Sequence, residues 1–279
     1  MTSEWGATKK HIPVLQEDVL SYLAVKPDGI YLDGTLGLGG HASAVQKQLS
    51  PKGQLVGFDG DEEAVRHCEK LLSPSCRLAQ APYDTFPQHL SSFSIQAVDG
   101  MLLDLGMSSY QLDTPARGFA YRTEGPLDMR FDKNGPTTAR HIINSWPVSE
   151  LKNLFKETGE ERRASAIATA IAKVRDSNPV DTTSDLTHII KSVVGDHAAT
   201  KALSRTFQAL RMVVNGELSC LEKFLNTFAG YLKTGGRVVI ISYHSLEDRM
   251  VKQTFRKLEK GCVCPPSFPE CQCGISPTL

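Results

Sequence analysis

Apolar residues along this chain change period several times, and the changes mark out short strands alternating with helices. Ile30-Tyr31-Leu32, Leu55 to Phe58 and Ala97 to Leu103 are apolar runs of strand length bounded by turn residues. Glu17 to Leu23, Ala42 to Leu49 and Asp61 to Leu72 carry helical spacing around and between the first two of these runs. Strands interleaved with helices imply a parallel sheet, because a parallel neighbour is reached only by a crossover. Ligands of such sheets sit at the carboxyl ends of the strands, so Asp33, Asp59, Tyr83 and Asp104 are expected to converge on one crevice.

After Gln111 the pattern changes. Thr114 to Asn134 is rich in Gly, Pro and Arg and has no regular period, which reads as a long ordered loop. Helical segments are expected over Val148 to Glu157, over Glu160 to Arg175, where Ala164, Ile167, Ala168, Ile171 and Val174 share a face, and over Thr183 to Val194. Asp113 to about Arg211 therefore reads as a mainly helical insertion without a strand. Phe207, Leu210, Val214, Leu218, Leu221, Leu225, Phe228 and Leu232 step by three and four, predicting one long amphipathic helix with Gly216 in its polar part. Lys233-Thr234-Gly235-Gly236 should end it, and Arg237 to Ser242 should return to the sheet. Ser245 with Asp248 resembles a capping box opening a helix to Lys260. The resulting organisation is an α/β, Rossmann-like core over residues 1–112, an insertion over 113–211, and the second part of the core with a Cys-rich tail over 212–279.

At 279 residues the chain can bury the core of one large domain carrying an insertion. No apolar run approaches the roughly 18–20 residues of a membrane span, and Glu4 and Trp5 before Lys9 and Lys10 do not make a signal-peptide pattern. A cytoplasmic protein without a membrane partner is expected, and seven cysteines, an odd number, suit a reducing compartment. Net charge is formally zero, but Lys201 to Lys260 holds eleven Lys and Arg against five Asp and Glu. Such asymmetry suits a face for phosphate contacts, although solvated helix faces give similar counts.

The glycines after the first strand carry the chemistry. Asp33-Gly34-Thr35 leads to Gly37-Leu38-Gly39-Gly40-His41, and Asp59 follows twenty residues after Gly39 at the tip of the next strand. Gly37, Gly39 and Ala42 satisfy the loose GxGxxG/A pattern, where glycine permits a tight turn and close approach of backbone to ligand. Asp59 is then placed to accept both hydroxyls of a ribose. The pattern by itself suits a dinucleotide as well as S-adenosylmethionine, while the strand, the spacing and Asp59 together outweigh an ordinary strand-to-helix turn.

The order of motifs along the chain resembles the RsmH (MraW) family of bacterial methyltransferases, which act on cytosine N4 of small-subunit ribosomal RNA. The blocks are His11-Ile12-Pro13-Val14, Asp33-Gly34-Thr35 with Gly39-Gly40-His41, Leu103-Asp104-Leu105-Gly106 with Ser108-Ser109 and Gln111-Leu112, and Arg117-Gly118-Phe119. They continue through Gly125 to Arg130, Gly159-Glu160-Glu161-Arg162, Arg205 to Arg211, and His244 to Arg249. The resemblance implies S-adenosylmethionine as methyl donor, a helical insertion that helps to hold 16S ribosomal RNA, and a small-subunit particle as partner; a homodimer is left open. By similarity the cofactor contacts map onto Gly39, Gly40, His41, Asp59, Tyr83, Asp104 and Gln111.

A cytosine amine is a poor nucleophile because its lone pair is delocalised, so acceptors for its hydrogens and in-line placement must supply the rate. Asp104 is the candidate catalytic residue, with Ser108 and Ser109 beside it in sequence; a strand-end Asp that only caps the next turn is the plainer alternative. The chain has Asp104-Leu105-Gly106-Met107 where many amino-methyltransferases have Asp-Pro-Pro-aromatic, and it lacks the Pro-Cys nucleophile of cytosine C5 enzymes. Arg117, Arg130, Arg205, Arg211 and Arg249 are candidate RNA contacts, with Arg117 and Arg130 preferred because their loop lacks a core pattern. Phe119 or Tyr243 can stack on an unstacked base, and His244 is grouped with them as substrate-binding. Cys262, Cys264, Cys271 and Cys273 form a CxC, six residues, CxC cluster that can bind zinc, although CxC is tighter than the usual knuckle and a reduced tail without metal is the simpler expectation. A nicotinamide-dependent oxidoreductase and a non-catalytic RNA-binding assembly factor are the alternatives.

Overall fold

In the computed structural model, which describes residues 13–262, 264, 265, 268, 270, 272–274 and 276–278, the apolar runs form one five-stranded sheet. Its strands are β1 (Ile30–Asp33), β2 (Gln54–Asp59), β3 (Arg77–Gln80), β4 (Val98–Asp104) and β5 (Leu232–Ile241). They lie in the order β3-β2-β1-β4-β5 and are parallel throughout. Helix α1 (Gln16–Leu23) precedes β1, and α2 (Gly40–Gln46), α3 (Glu62–Leu71) and α4 (Phe86–Ser92) make the crossovers from β1 through to β4. Leu32, Val56, Met101 and Leu103 are buried, as strands covered on both faces require.

Strand order reverses between β1 and β4, which is where an α/β sheet opens its ligand crevice. Register then fixes what stands at that edge. Asp33 pairs with Gly57 on one side and with Leu102 on the other, so the ends of β1, β2 and β4 are level to within two residues at Asp33, Asp59 and Asp104.

Two features of this half were not expected from sequence. β3 is an edge strand of half-buried and exposed residues and so lacks the apolar run that marks the others, and α4 follows it. β5 starts earlier than Arg237: Leu232 pairs with Val98, the register shifts, and Arg237 to Ile241 pair with Gly100 to Asp104. Lys233 to Gly236 make up the irregular part, with Gly235 at φ +75°.

The chain forms two compact units. One runs to Leu105 and includes Phe228–Ile241; the other comprises Gly106–Thr227 and the chain from Ser242. The second unit is helical: α5 (Ser109–Asp113), α6 (Ala139–Ser145), α7 (Val148–Asn153), α8 (Ala164–Arg175), α9 (Thr183–Val194), α10 (Asp196–Val214), α11 (Glu217–Thr227) and α12 (Ser245–Lys260). Phe155, Ile167, Ile171, Ile190, Phe207 and Leu210 lie in its core. Between Pro126 and Thr182 there is an isolated antiparallel bridge, but no regular strand among its described residues. A π-helical turn, Leu154–Thr158, follows α7 and leads into Gly159-Glu160-Glu161-Arg162.

The long helix expected over Phe207 to Leu232 is two helices. Gly216 has φ +61°, a left-handed conformation that costs other residues roughly 1–2 kcal/mol, and it breaks the helix rather than merely weakening it. Asn215 fixes the break: its Nδ2 donates to Met129 O and Arg211 O at 2.8 Å, and its Oδ1 accepts from Phe131 N at 2.7 Å. The second helix stops at Thr227, ahead of Lys233, and a 3-10 turn over Phe228–Tyr231 leads to β5. The expected box at Ser245 is displaced by one residue. His244 is the N-cap of α12, its Nδ1 accepting from Glu247 N, while Ser245 Oγ donates to Glu160 Oε2 at 3.0 Å.

Candidate active site

In the sheet-bearing unit the three strand-end aspartates form one cluster around the glycine turn. Asp33 is buried; its Oδ1 accepts from Thr35 N at 3.0 Å, while Oδ2 is buried without a hydrogen-bond partner. Thr35 links β1 to β4, because its Oγ1 accepts from Asp104 N at 2.7 Å. Asp59 is aimed by two backbone donors, Gly37 N at 2.8 Å and Asp61 N at 2.8 Å. Asp104 Oδ2 lies 3.6 Å from His41 Nε2, and neither ring nitrogen of the buried His41 has a hydrogen-bond partner.

Burial raises the Asp33 carboxyl to about 6; the Thr35 N–H and His41 oppose that shift, and the charges of Asp104 and Asp59 reinforce it. Burial, with Asp33 and Asp59 nearby, also pushes the Cys68 thiol up to about 12, so Cys68 under the turn is an inert neutral thiol. The turn itself is tight. Gly39 has φ +74°, and a Cβ there would meet Cys68 Sγ and Leu71 Cδ2 at 2.9 Å; a Cβ on Gly34 would meet Tyr83 Cβ at 2.9 Å. Gly39, Gly40, His41, Asp59, Tyr83 and Asp104 thus all belong to this one unit, around Asp33, which sequence reasoning placed at the crevice but gave no contact.

In the helical unit Ser108 and Gln111 form a reciprocal capping box on α5: Ser108 Oγ accepts from Gln111 N, and Gln111 Oε1 accepts from Ser108 N. Ser109 is the first residue of that helix. Arg117 is not available to RNA as expected. It is 4% exposed, and its guanidinium donates to Arg130 O and Phe131 O at 2.9 and 3.0 Å. Phe119 is likewise a core residue, stacked on Phe131 with centroids 5.7 Å apart, and offers no face to a base. Arg130 is held by both oxygens of Asp128 and by Gly135 O. These loop residues order the loop. Tyr243, by contrast, is 56% exposed, and Arg249 is exposed with Glu160 Oε1 at 3.9 Å.

A second charged cluster fills the interior next to Tyr243. His244 Nε2 lies 3.0 Å from Glu247 Oε1, and Glu247 Oε2 accepts from Tyr243 N. Near it Arg211 makes a bidentate pair with Glu217, Nε to Oε1 at 2.8 Å and a terminal nitrogen to Oε2 at 2.9 Å. Burial raises the Glu217 carboxyl despite Arg211, and the Glu247 charge adds to the rise. Arg211 and His244 are therefore interior groups, and neither is exposed to RNA as sequence reasoning had expected.

A cavity of about 340 Å³ opens at the start of α8. Four cations line it: Arg162, Arg163, Lys201 and Arg205. Its one carboxylate, the buried Glu161, is 3.7 Å from Arg205 and accepts from Arg163 N. Arg162 and Lys201 have no ionic partner among the described residues. Of the expected RNA-binding arginines, Arg205 is the one in this cavity; its cationic neighbours were missed because they come from segments far apart in sequence.

A model of the MraW methylase family matches residues 8–279. This chain belongs to the MraW methylase family. Among its relatives, "Ribosomal RNA small subunit methyltransferase H" of Halothermothrix orenii is 51% identical over 269 residues, covering 95% of this chain and 86% of that protein. Proteins of the same name from Geotalea uraniireducens and Geobacter sulfurreducens are 45% and 44% identical, covering 96% and 98% of this chain and 88% and 89% of theirs.

S-adenosylmethionine, the donor expected of this methylase, fits the residues present. Its ammonium group calls for an anion, and the buried Asp33 Oδ2 has no partner. Its ribose calls for an oriented acceptor, and two backbone donors, Gly37 N and Asp61 N, fix the Asp59 carboxylate beside the glycine turn. Of the family blocks, His11 and Ile12 lie outside the described residues, as does Cys271 of the thiol cluster.

Proposed function

We propose that this chain transfers a methyl group from S-adenosylmethionine to the exocyclic N4 of a cytidine in 16S ribosomal RNA. The observation that carries the reading is the cluster of Asp33, Asp59 and Asp104 around one glycine turn, with a buried carboxylate oxygen left unsatisfied. Bound S-adenosylmethionine supplies an electrophilic methyl carbon on a cationic sulfur. Asp33 pairs with the ammonium group and Asp59 with the ribose hydroxyls, while Tyr83 flanks the adenine. These contacts fix the donor's position, and positioning is the larger part of the rate for a weak nucleophile.

Asp104 then accepts a hydrogen bond from the target amine. That bond would draw density toward N4 as the methyl group passes from sulfur to nitrogen, the C–S electron pair staying on the sulfur and one N4 proton leaving to solvent, and it would strengthen as positive charge develops on the amine. His41 keeps the Asp104 carboxylate turned toward the crevice. Ser108 and Gln111 cap α5.

Tyr243, exposed in the helical unit, offers an aromatic face on which an RNA base can stack. The cavity at α8 holds RNA: its cations take phosphate, and Val194, Ala198 and Ala202 give it an apolar floor for a sugar or base. Arg162→Ala and Lys201→Ala should each weaken RNA binding evenly across sequences and lower the dependence of log K on log salt by about 0.7–0.9. Fluorescence anisotropy over a salt series measures this, and unchanged slopes in both variants would remove the cavity from the interface.

The zero net charge of the chain favours an assembled small-subunit particle over bare RNA as substrate. Nucleoside mass spectrometry of 16S RNA from cells lacking the protein should show loss of an N4-methylated cytidine, restored by the native sequence and not by Asp104→Ala. Restoration in vitro should be faster on particles than on bare transcript. An unchanged nucleoside profile would reject the proposed reaction.

A further inference from the structure

We propose that Cys262, Cys264 and Cys273 form a structural zinc site. The three described sulfurs lie within 4.8 Å of one another, and Cys262 Sγ and Cys273 Sγ are 3.8 Å apart. A disulfide would bring two sulfurs to about 2.05 Å. A tetrahedral zinc with Zn–S bonds of about 2.3 Å instead sets its sulfurs about 3.8 Å apart, along the edges of the tetrahedron.

The tight CxC spacing is compatible with this geometry. In extended chain, residues two apart face the same side, so Cys262 and Cys264 can present both sulfurs to one point, and the same pattern recurs at Cys271 and Cys273. Cys271, the fourth cysteine of the motif, lies outside the described residues. A backbone donor supports the thiolate character of the cluster: Gln272 N donates to Cys264 Sγ at 3.3 Å, the kind of second contact that orients and stabilises a metal-bound sulfur. Thiolate ligands select zinc over the hard cations calcium and magnesium.

The surroundings also need such a cross-link. The chain turns at Gly261, with φ +65°, and returns to α12 through the bond from Thr278 N to Leu258 O at 2.9 Å. The six residues between the two CxC pairs include three prolines, and Phe268 is 45% exposed. A short proline-rich segment has little apolar side chain to bury, so a staple suits it better than a core. An all-thiolate ligand set is that of structural rather than catalytic zinc, so the metal would fasten Cys264 and Cys273 to Cys262 at the C-terminal end of α12. Each thiol releases its proton on binding, so the metal is held more tightly as pH rises.

The full chain, purified without a histidine tag from zinc-replete cells and passed through metal-free buffer, should carry about one zinc per chain. The double variant Cys262→Ser/Cys273→Ser should carry less than a tenth as much. Cobalt(II) added to metal-stripped wild-type protein should give the thiolate-to-cobalt charge-transfer band and the intense visible bands of a tetrahedral sulfur site, displaced by zinc. This readout needs no folded variant and no methyl transfer, so it stands apart from the proposed reaction. Substoichiometric zinc in the wild type together with a featureless cobalt spectrum would overturn the site, and stoichiometric iron would overturn its assignment to zinc.

Discussion

Asp33→Asn should lose S-adenosylmethionine binding while gaining stability, relative to the native sequence, as pH rises from 4 to 8. The native carboxyl ionises near pH 6 in the folded protein because it is buried, with Asp104 and Asp59 reinforcing the shift, against about 3.9 for an unfolded aspartate. Between those values the folded state binds the extra proton. The stability this group contributes is therefore complete below about pH 4 and is lost as pH rises through 6, by an amount on the order of 2–3 kcal/mol. Asparagine keeps an acceptor for Thr35 N and does not ionise, so its advantage should open over that window and level off near pH 8. Urea unfolding of ligand-free protein at pH 4.5 and pH 8 measures it.

Calorimetry with S-adenosylmethionine reads the other half. Removing one partner of a buried charge pair costs about 2–5 kcal/mol, or roughly thirty-fold to several thousand-fold in affinity. Affinity of the native protein should also weaken below about pH 6, where Asp33 must give up its proton before it can pair with the ammonium group. A variant that binds within tenfold of native would show that Asp33 does not pair with the ligand, and one whose stability difference from native is the same at both pH values would show that its carboxyl is not raised. The combination is diagnostic because a carboxylate kept for structure alone would lose stability on replacement.

How much of this was legible in the sequence depends on how local the cause was. β1, β2 and β4 announced themselves because strands buried on both faces are apolar runs, while β3 at the sheet edge is half polar and did not. The periodicity of Phe207 to Leu232 was real, yet the break at Gly216 is set by Asn215 reaching Met129 and Phe131, contacts more than eighty residues away in sequence. Arg117 and Phe119 were misread for the same reason. Their loop has no period, and the core that encloses them is assembled from helices that lie later in the chain. Glycine spacing and Asp59 were visible from the fingerprint, whereas the unsatisfied oxygen of Asp33 appears only once Thr35, Asp104 and His41 are placed around it.

Arg211→Met should produce the largest loss of stability, about 3–5 kcal/mol at pH 8, because it leaves Glu217 buried and charged near Glu247 with no counter-ion. Glu217 already has a raised carboxyl, from burial first, so the stability it contributes is present at low pH and lost as pH rises through its folded value. In the variant Arg211 no longer opposes that rise. The penalty should therefore shrink as the pH falls and the carboxyl takes up its proton. Arg211→Met/Glu217→Met should regain most of the loss, since two apolar side chains of similar length can replace a buried ion pair at little cost. Urea unfolding of both variants at pH 8 and pH 5 tests this, and equal losses at the two pH values would mean that packing, rather than the unpaired charge, sets the penalty. The double variant also decides what Arg211 does. Buried, with one edge of its guanidinium paired to both oxygens of Glu217, it adds nothing to phosphate binding, so the folded double variant should keep the native salt slope with RNA while Arg162→Ala and Lys201→Ala do not.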